Sequence, residues 1–182
     1  MILRQLVRMR NLPSLVALTI IAAVVCDEAH TEISDISAAG FVSEHEIQLA
    51  VSSDAAFRAL TMEIRLWWNP AHTYSGDADN LTLDARAGGC FCEKLDGGGS
   101  VMHMQVVYAK PGRMLRLSGG LGPLQGLGVS GSMDFVLDPI EGGTLLKYRY
   151  TVSGATPDGL ATAVDSVQLE QLRRLQAYLA RD

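Results

Sequence analysis

From residue 40 to residue 51 the chain alternates, with His45, Ile47, Leu49 and Val51 on one face and Glu44, Glu46 and Gln48 on the other. That period of two predicts a strand with one side buried. Ser53 then offers an N-cap oxygen to a short helix whose Phe57, Leu60 and Ile64 recur at helical spacing, and Pro70 ends it. Six further strand-like runs follow at 81–84, 90–95, 101–109, 114–118, 132–137 and 144–152, and Gly-rich turns at 96–99, 110–112 and 141–143 read as hairpin connections. The apolar faces of the later runs are Met102, Met104, Val106 and Tyr108, then Leu115 and Leu117, then Met133, Phe135 and Leu137, then Leu146, Tyr148, Tyr150 and Val152. Over residues 158–180 the period becomes helical: Leu160, Val164, Val167, Leu172, Leu175 and Leu179 make one stripe, with Glu170, Arg173 and Arg174 off it. The pattern predicts an α+β domain, a curved antiparallel sheet of about seven strands wrapped on a long C-terminal helix, with a short helical segment after the first strand. Such a sheet closing on one helix leaves room for a cavity between the two layers.

The ends change the picture more than the bulk composition does. Arg4, Arg8 and Arg10 precede an apolar run from residue 12 to residue 26, which reads as a secretory signal over residues 1–26. That run is shorter than the roughly 20 residues a membrane-spanning helix needs. Export to the periplasm or the extracellular space is therefore expected, with cleavage near Cys26 or, alternatively, lipidation of Cys26, the only membrane attachment foreseen beyond the leader. Residues 27–39 read as a flexible linker and 40–182 as the single domain. The chain carries a net charge of −5, and loss of the three leader arginines makes the rest more acidic still, which argues against a nucleic-acid surface.

Chemistry-bearing side chains crowd between Leu66 and Cys92, where both tryptophans and two of the three cysteines fall. Adjacent Trp67 and Trp68 point in different directions, so at most one enters a cavity fully; either packs the core or lines a ligand site. His72, Tyr74 and Asp77 sit in a loop, able to orient a polar head group or move a proton, or simply to cap one another around a 75–77 turn. Cys90 and Cys92 flank Phe91 on a strand and share a face, about 7 Å apart at Cα if the strand is regular. A disulfide there needs a bulge or strain. With His103 placed beside them on the next strand, a zinc or copper site is a second possibility and free thiols a third. The glycines of residues 119–131 lack the lysine and following helix of a phosphate loop; they let a long turn fold back, with Leu121, Leu124 and Leu127 as an apolar flap.

The order of several segments resembles the START-related helix-grip superfamily known as SRPBCC, which includes pollen allergens, polyketide cyclases and the C-terminal domain of the heat-shock-protein ATPase activator. The segments are His45 to Leu60, Trp67-Trp68-Asn69-Pro70, Gly88-Gly89, the run from Pro111 to Leu117, and Gly142-Gly143-Thr144. Residues 72–77, 87–93 and 121–131 are similar in wording to those of an exported bacterial subgroup. The resemblance implies a cavity for a lipid-like, polyketide-like or other apolar molecule, with enzymes a minority. On that expectation the lining is Trp67, Trp68, His72, Tyr74, Tyr108, Leu124 and Tyr148. No cofactor is expected. The alternatives are a cyclase- or hydrolase-like enzyme with a cavity His or Tyr as acid–base group, for which no nucleophile–base pair stands out, and an envelope interaction or co-chaperone-like module.

Overall fold

The computed structural model describes residues 31–37 and 39–181, so the leader and Cys26 lie outside the described residues. In chain order the elements are β1 (Thr31–Ser37), β2 (Gly40–Leu49), α1 (Ser53–Met62), α2 (Ile64–Trp67), β3 (Leu81–Leu83), β4 (Cys90–Lys94), β5 (Ser100–Lys110), β6 (Met114–Ser118), β7 (Ser130–Ile140), β8 (Gly143–Ser153) and α3 (Leu160–Leu179). The strands form one antiparallel sheet in the order β1-β2-β8-β7-β6-β5-β4-β3. β3 to β8 are a meander, and β2 closes beside the last strand of it, so the α1–α2 segment has to cross from one side of the sheet to the other. The long helix α3 lies against β1, β2, α1 and α2. This is the helix-grip architecture.

Thr31–Ser37 corrects the linker reading of residues 27–39. It pairs with β2, Thr31 opposite His45 and Ser34 opposite Val42, and makes an eighth strand where about seven were expected. Its polar composition, TEISDIS, hides a strand whose role is to cover the otherwise open edge of β2. The helix start also moves by one residue: Ser52, not Ser53, accepts from the Ala55 amide. A break at Glu63 then separates α1 from α2 before Pro70 is reached.

In β7 and β8 the expected alternation holds without interruption. Met133, Phe135 and Leu137, and Leu146, Tyr148, Tyr150 and Val152, are buried against the helix layer. The opposite face carries a charged row: Arg116 faces Asp134, Asp134 faces Arg149, and Arg149 faces Glu44 across four successive strands. The Arg116–Asp134 pair is bidentate at 2.6 and 2.7 Å. Exposed pairs of this kind add little stability each, but they mark the outer face as solvated.

β5 breaks the alternation twice. Its pairing with β4 runs Phe91 to Met104 and Cys92 to Met102, leaving His103 as an extra residue, and its pairing with β6 skips Val107 in the same way. Each bulge flips the side-chain parity. Met102 and Tyr108, expected on the inner face, are therefore 58% and 45% exposed, while His103 turns inward at 5%.

Candidate functional site

The segment after α2 is fixed from both sides, which gives the site its shape. On the helix side, the Asn69 amide donates to Gln171 Oε1 at 2.8 Å, the Asn69 side chain donates to Glu170, and Arg174 Nε donates to the Trp67 carbonyl at 2.8 Å. On the sheet side, the amides of Tyr74 and Ser75 both donate to the Glu93 carboxylate. Residues 69–75 thus bridge α3 and β4. Beneath that bridge lies a cavity of about 350 Å³, whose walls include Trp68, Phe91, Leu121, Pro123, Val164 and Val167. Its volume falls at the lower end of the range usual for small-molecule sites.

Five polar side chains reach the cavity wall, His72, Thr73, Tyr74, His103 and Gln168, and the Thr73 hydroxyl already donates to the Pro70 carbonyl. His72, at the mouth, pairs with Glu170 at 3.2 Å. His103 is sandwiched between the rings of Tyr74 and Phe91, at 5.8 and 4.9 Å between centroids, and its Nε2 meets Glu93 Oε2 at 2.9 Å. Burial pushes the imidazole below its ordinary pKa, against the pull of the Glu93 charge and hydrogen bond. For Glu93, burial alone would raise the carboxyl, but hydrogen bonds from Ser75, Tyr74 and His103 outweigh it and hold the group below its usual range. The pair is thus a neutral imidazole donating to a carboxylate. His103 Nδ1 is then an acceptor, and it is buried without a partner among the described residues. Gln168 is 4% exposed, and its side-chain amide makes no hydrogen bond among the described residues.

The flap is held by a tyrosine rather than by its own leucines. Tyr150 Oη accepts from the Leu121 amide at 3.0 Å and donates to the Gly119 carbonyl at 3.1 Å. Burial raises that phenol to about 12, so it remains a donor at any physiological pH. Gly131 makes the contact possible, since a Cβ there would meet the Tyr150 ring at 2.6 Å. Leu121 lines the cavity, Leu124 is fully buried under the turn, and Leu127 points outward at 41% exposure.

Of the lining expected from sequence, Trp68, His72 and Tyr74 are at the cavity, while Trp67, Tyr108, Leu124 and Tyr148 are not among its walls. Trp67 packs in the core and donates from Nε1 to the Ala59 carbonyl at 2.9 Å. Tyr148 stacks on His45 and is edge-on to Phe135, also in the core. Tyr108 is on the opposite face because of the second β5 bulge. Asp77 stays outside too: it caps a short turn through the Asp79 amide, beside the Ser75 hydroxyl that holds the same loop.

Cys90 and Cys92 are joined by a disulfide with Cα atoms 5.4 Å apart, within the usual span of such bonds. The shortening relative to a regular strand coincides with the β4–β5 bulge. Because that bulge turns His103 to the Phe91 side, the proposed Cys90–Cys92–His103 metal set is divided between the two faces of the sheet. Among the described residues no cluster of three metal-binding side chains occurs, and none of their helices is long and apolar enough to cross a membrane.

Glu93 and Gln168 were missed from sequence, although each left a signal. Glu93 shares parity with Phe91, which should have marked a buried carboxylate. Gln168 sits midway between Val164 and Leu172 in the apolar stripe of α3. A third polar cluster, Ser43, His45 and Asp165, resembles a triad by composition only. Ser43 Oγ donates to Asp165 Oδ1 at 2.6 Å and His45 Nε2 lies 3.0 Å from the same oxygen, so hydroxyl and carboxylate meet one ring nitrogen instead of bridging two. It clamps β2 to α3.

No protein-family model matches the chain, and no curated protein does either. Solved structures share its fold. An uncharacterised protein from Rhizobium leguminosarum superposes with a TM-score of 0.62 at 17% identity, over 85% of this chain and 99% of that one. CalU16 from Micromonospora echinospora gives 0.53 at 18% identity, over 84% and 85%. DynU16, from the dynemicin biosynthetic locus, gives 0.57 at 15% identity, over 76% of this chain and 47% of that one. At these identities the likeness speaks to the fold alone.

Proposed function

We propose that the chain is an exported member of the SRPBCC superfamily that holds an apolar or amphipathic small molecule between the sheet and α3. The observation that carries this reading is the cavity itself, walled by Trp68, Phe91 and the aliphatic face of α3 and roofed by a flap that Tyr150 pins. The basic-apolar leader and the Cys90–Cys92 disulfide both suit an oxidising compartment outside the cytoplasm. That a protein with this fold comes from the dynemicin biosynthetic locus fits a small-molecule role.

Trp68 lines the cavity and Trp67 does not, so the two tryptophans separate binding from general perturbation. Titrating the uncharged dye N-phenyl-1-naphthylamine should quench emission in the W67F protein and leave W68F unresponsive. Native mass spectrometry of protein recovered from its own envelope should show a bound small molecule. An empty protein in which W67F and W68F respond alike, or not at all, would sink the reading.

A second reading, acid–base catalysis, is favoured by the Glu93–His103 pair at the cavity wall. A carboxylate that orients an imidazole with a free second nitrogen is the arrangement of a general base. The Tyr74 ring lies over that imidazole, so the ring must turn aside before a substrate reaches it. Tyr74→Ala should then raise any turnover of an added substrate while His103→Gln abolishes it; equal effects on both would refute catalysis by His103.

A further inference from the structure

We infer that the cavity selects an uncharged ligand whose head group both donates and accepts a hydrogen bond, such as a phenol, an alcohol or an amide, and rejects carboxylates such as free fatty acids. The inference rests on the cavity's being a ligand site and names the class of ligand it takes.

Gln168 supplies the attraction. The residue is 4% exposed and lines the cavity, and its amide has no partner among the described residues, so it is open to a ligand head that enters there. A primary amide offers two N–H donors and one carbonyl acceptor, and a hydroxyl or amide head can answer both kinds at once. The aromatic and aliphatic walls then take the apolar body.

The charges around the site supply the rejection. No Lys or Arg is among the lining residues. Both histidines already face a carboxylate through one nitrogen, His103 Nε2 with Glu93 and His72 Nε2 with Glu170, so neither is a spare counter-charge for an anion. Glu93, with its side chain fully buried, is a fixed negative charge directly behind the cavity-lining His103, and Asp165, held by Ser43 and His45, is a second buried carboxylate on α3 one turn before Gln168. A ligand carboxylate would leave water without meeting a counter-charge, which is among the costliest events in binding. The one feature favouring an anion is the N-terminus of α3, whose Leu160 and Ala163 also line the cavity.

Three probes with one ring system decide it: naphthalene, 2-naphthol and 2-naphthoate, measured by equilibrium dialysis against the whole protein at pH 7.5. 2-Naphthol should bind at least tenfold more tightly than 2-naphthoate. In Gln168→Leu the advantage of 2-naphthol over naphthalene should vanish, while the discrimination against 2-naphthoate persists. Naphthoate binding as tightly as naphthol would show that the helix terminus outweighs the buried carboxylates and would overturn the inference, leaving the cavity reading intact. Binding of none of the three would overturn the cavity reading itself.

Discussion

Tyr148 and Tyr150 lie two residues apart on the same face of β8, both buried, and differ in one respect: the Tyr150 hydroxyl has two backbone partners and the Tyr148 hydroxyl has none among the described residues. Removing each hydroxyl as Tyr→Phe conserves ring packing and isolates that difference. In Tyr150→Phe the Leu121 amide and the Gly119 carbonyl lose their partner; at about 1 kcal/mol net for each bond, the loss is about 2 kcal/mol. For a chain of this size that lowers Tm by roughly 4–8 °C. In Tyr148→Phe a hydroxyl that burial already penalises disappears, so the change should be neutral or stabilising by up to about 1 kcal/mol. Burial lifts the Tyr148 phenol well above its ordinary pKa, consistent with a group poorly solvated in either form. Urea denaturation followed by far-UV circular dichroism at pH 7.5 measures both. Equal losses, or a larger loss for Tyr148→Phe, would refute the assignment of the flap anchor. Tyr150→Phe should also speed release of N-phenyl-1-naphthylamine, because Leu121 and Pro123 of the loosened segment wall the cavity.

Further outcomes follow from the buried ionisable groups and the disulfide. His45 and His103 both have pKa values lowered by burial, so the unfolded chain binds protons more readily; their contribution is complete above the unfolded value near 6.5 and is lost as pH falls below it. Stability should therefore fall between pH 7 and pH 5, and urea midpoints that stay flat over that interval would contradict it. Glu93→Gln should release the segment around Tyr74 and Ser75, seen as faster amide hydrogen exchange at those two positions; unchanged exchange would mean the carboxylate does not hold the loop. The disulfide closes a loop of only three residues, so the Cys90→Ser/Cys92→Ser protein should lose no more than about 2 kcal/mol. The same variant should move the His103 ring resonances by relaxing the bulge, and unshifted resonances would separate the two features.

The strands β6 to β8 were legible because each follows one period without interruption over the greasy residues of a single face, and α3 because its apolar stripe keeps helical spacing around the buried Asp165, Gln168 and Gln171. Leu115 and Leu117, Met133 to Leu137 and Leu146 to Val152 are buried as alternation requires. β1 was not legible, since an edge strand is held by pairing on one side and needs no continuous hydrophobic run, and Thr31–Ser37 has the composition of a linker. Trp68, His72 and Tyr74, singled out in the sequence by their crowding, lie at the cavity. Tyr108 and His103 were placed on the wrong faces because a bulge is a property of two strands together, and one sequence read strand by strand cannot show it. Glu93 and Gln168 are not marked by the pattern for another reason: a polar residue at an inward position has no hydrophobic signal of its own, and only the partner it meets in the fold shows why it is buried.

The two bulges of β5 also bear on how the cavity tolerates change over generations. Their parity shifts cancel: the inward positions fall on odd numbers up to His103, on even numbers at Met104 and Val106, and on odd numbers again at Ala109, while the paired residues stay on the same face as their partners throughout. Loss of either extra residue would close its own bulge and leave every other residue of β5 on its present face, whereas loss of a residue without an opposing bulge to absorb it would exchange inside for outside along the strand beyond it. A lineage can therefore discard the buried histidine by one deletion and keep the fold, because the pairs on either side of His103 already carry the register.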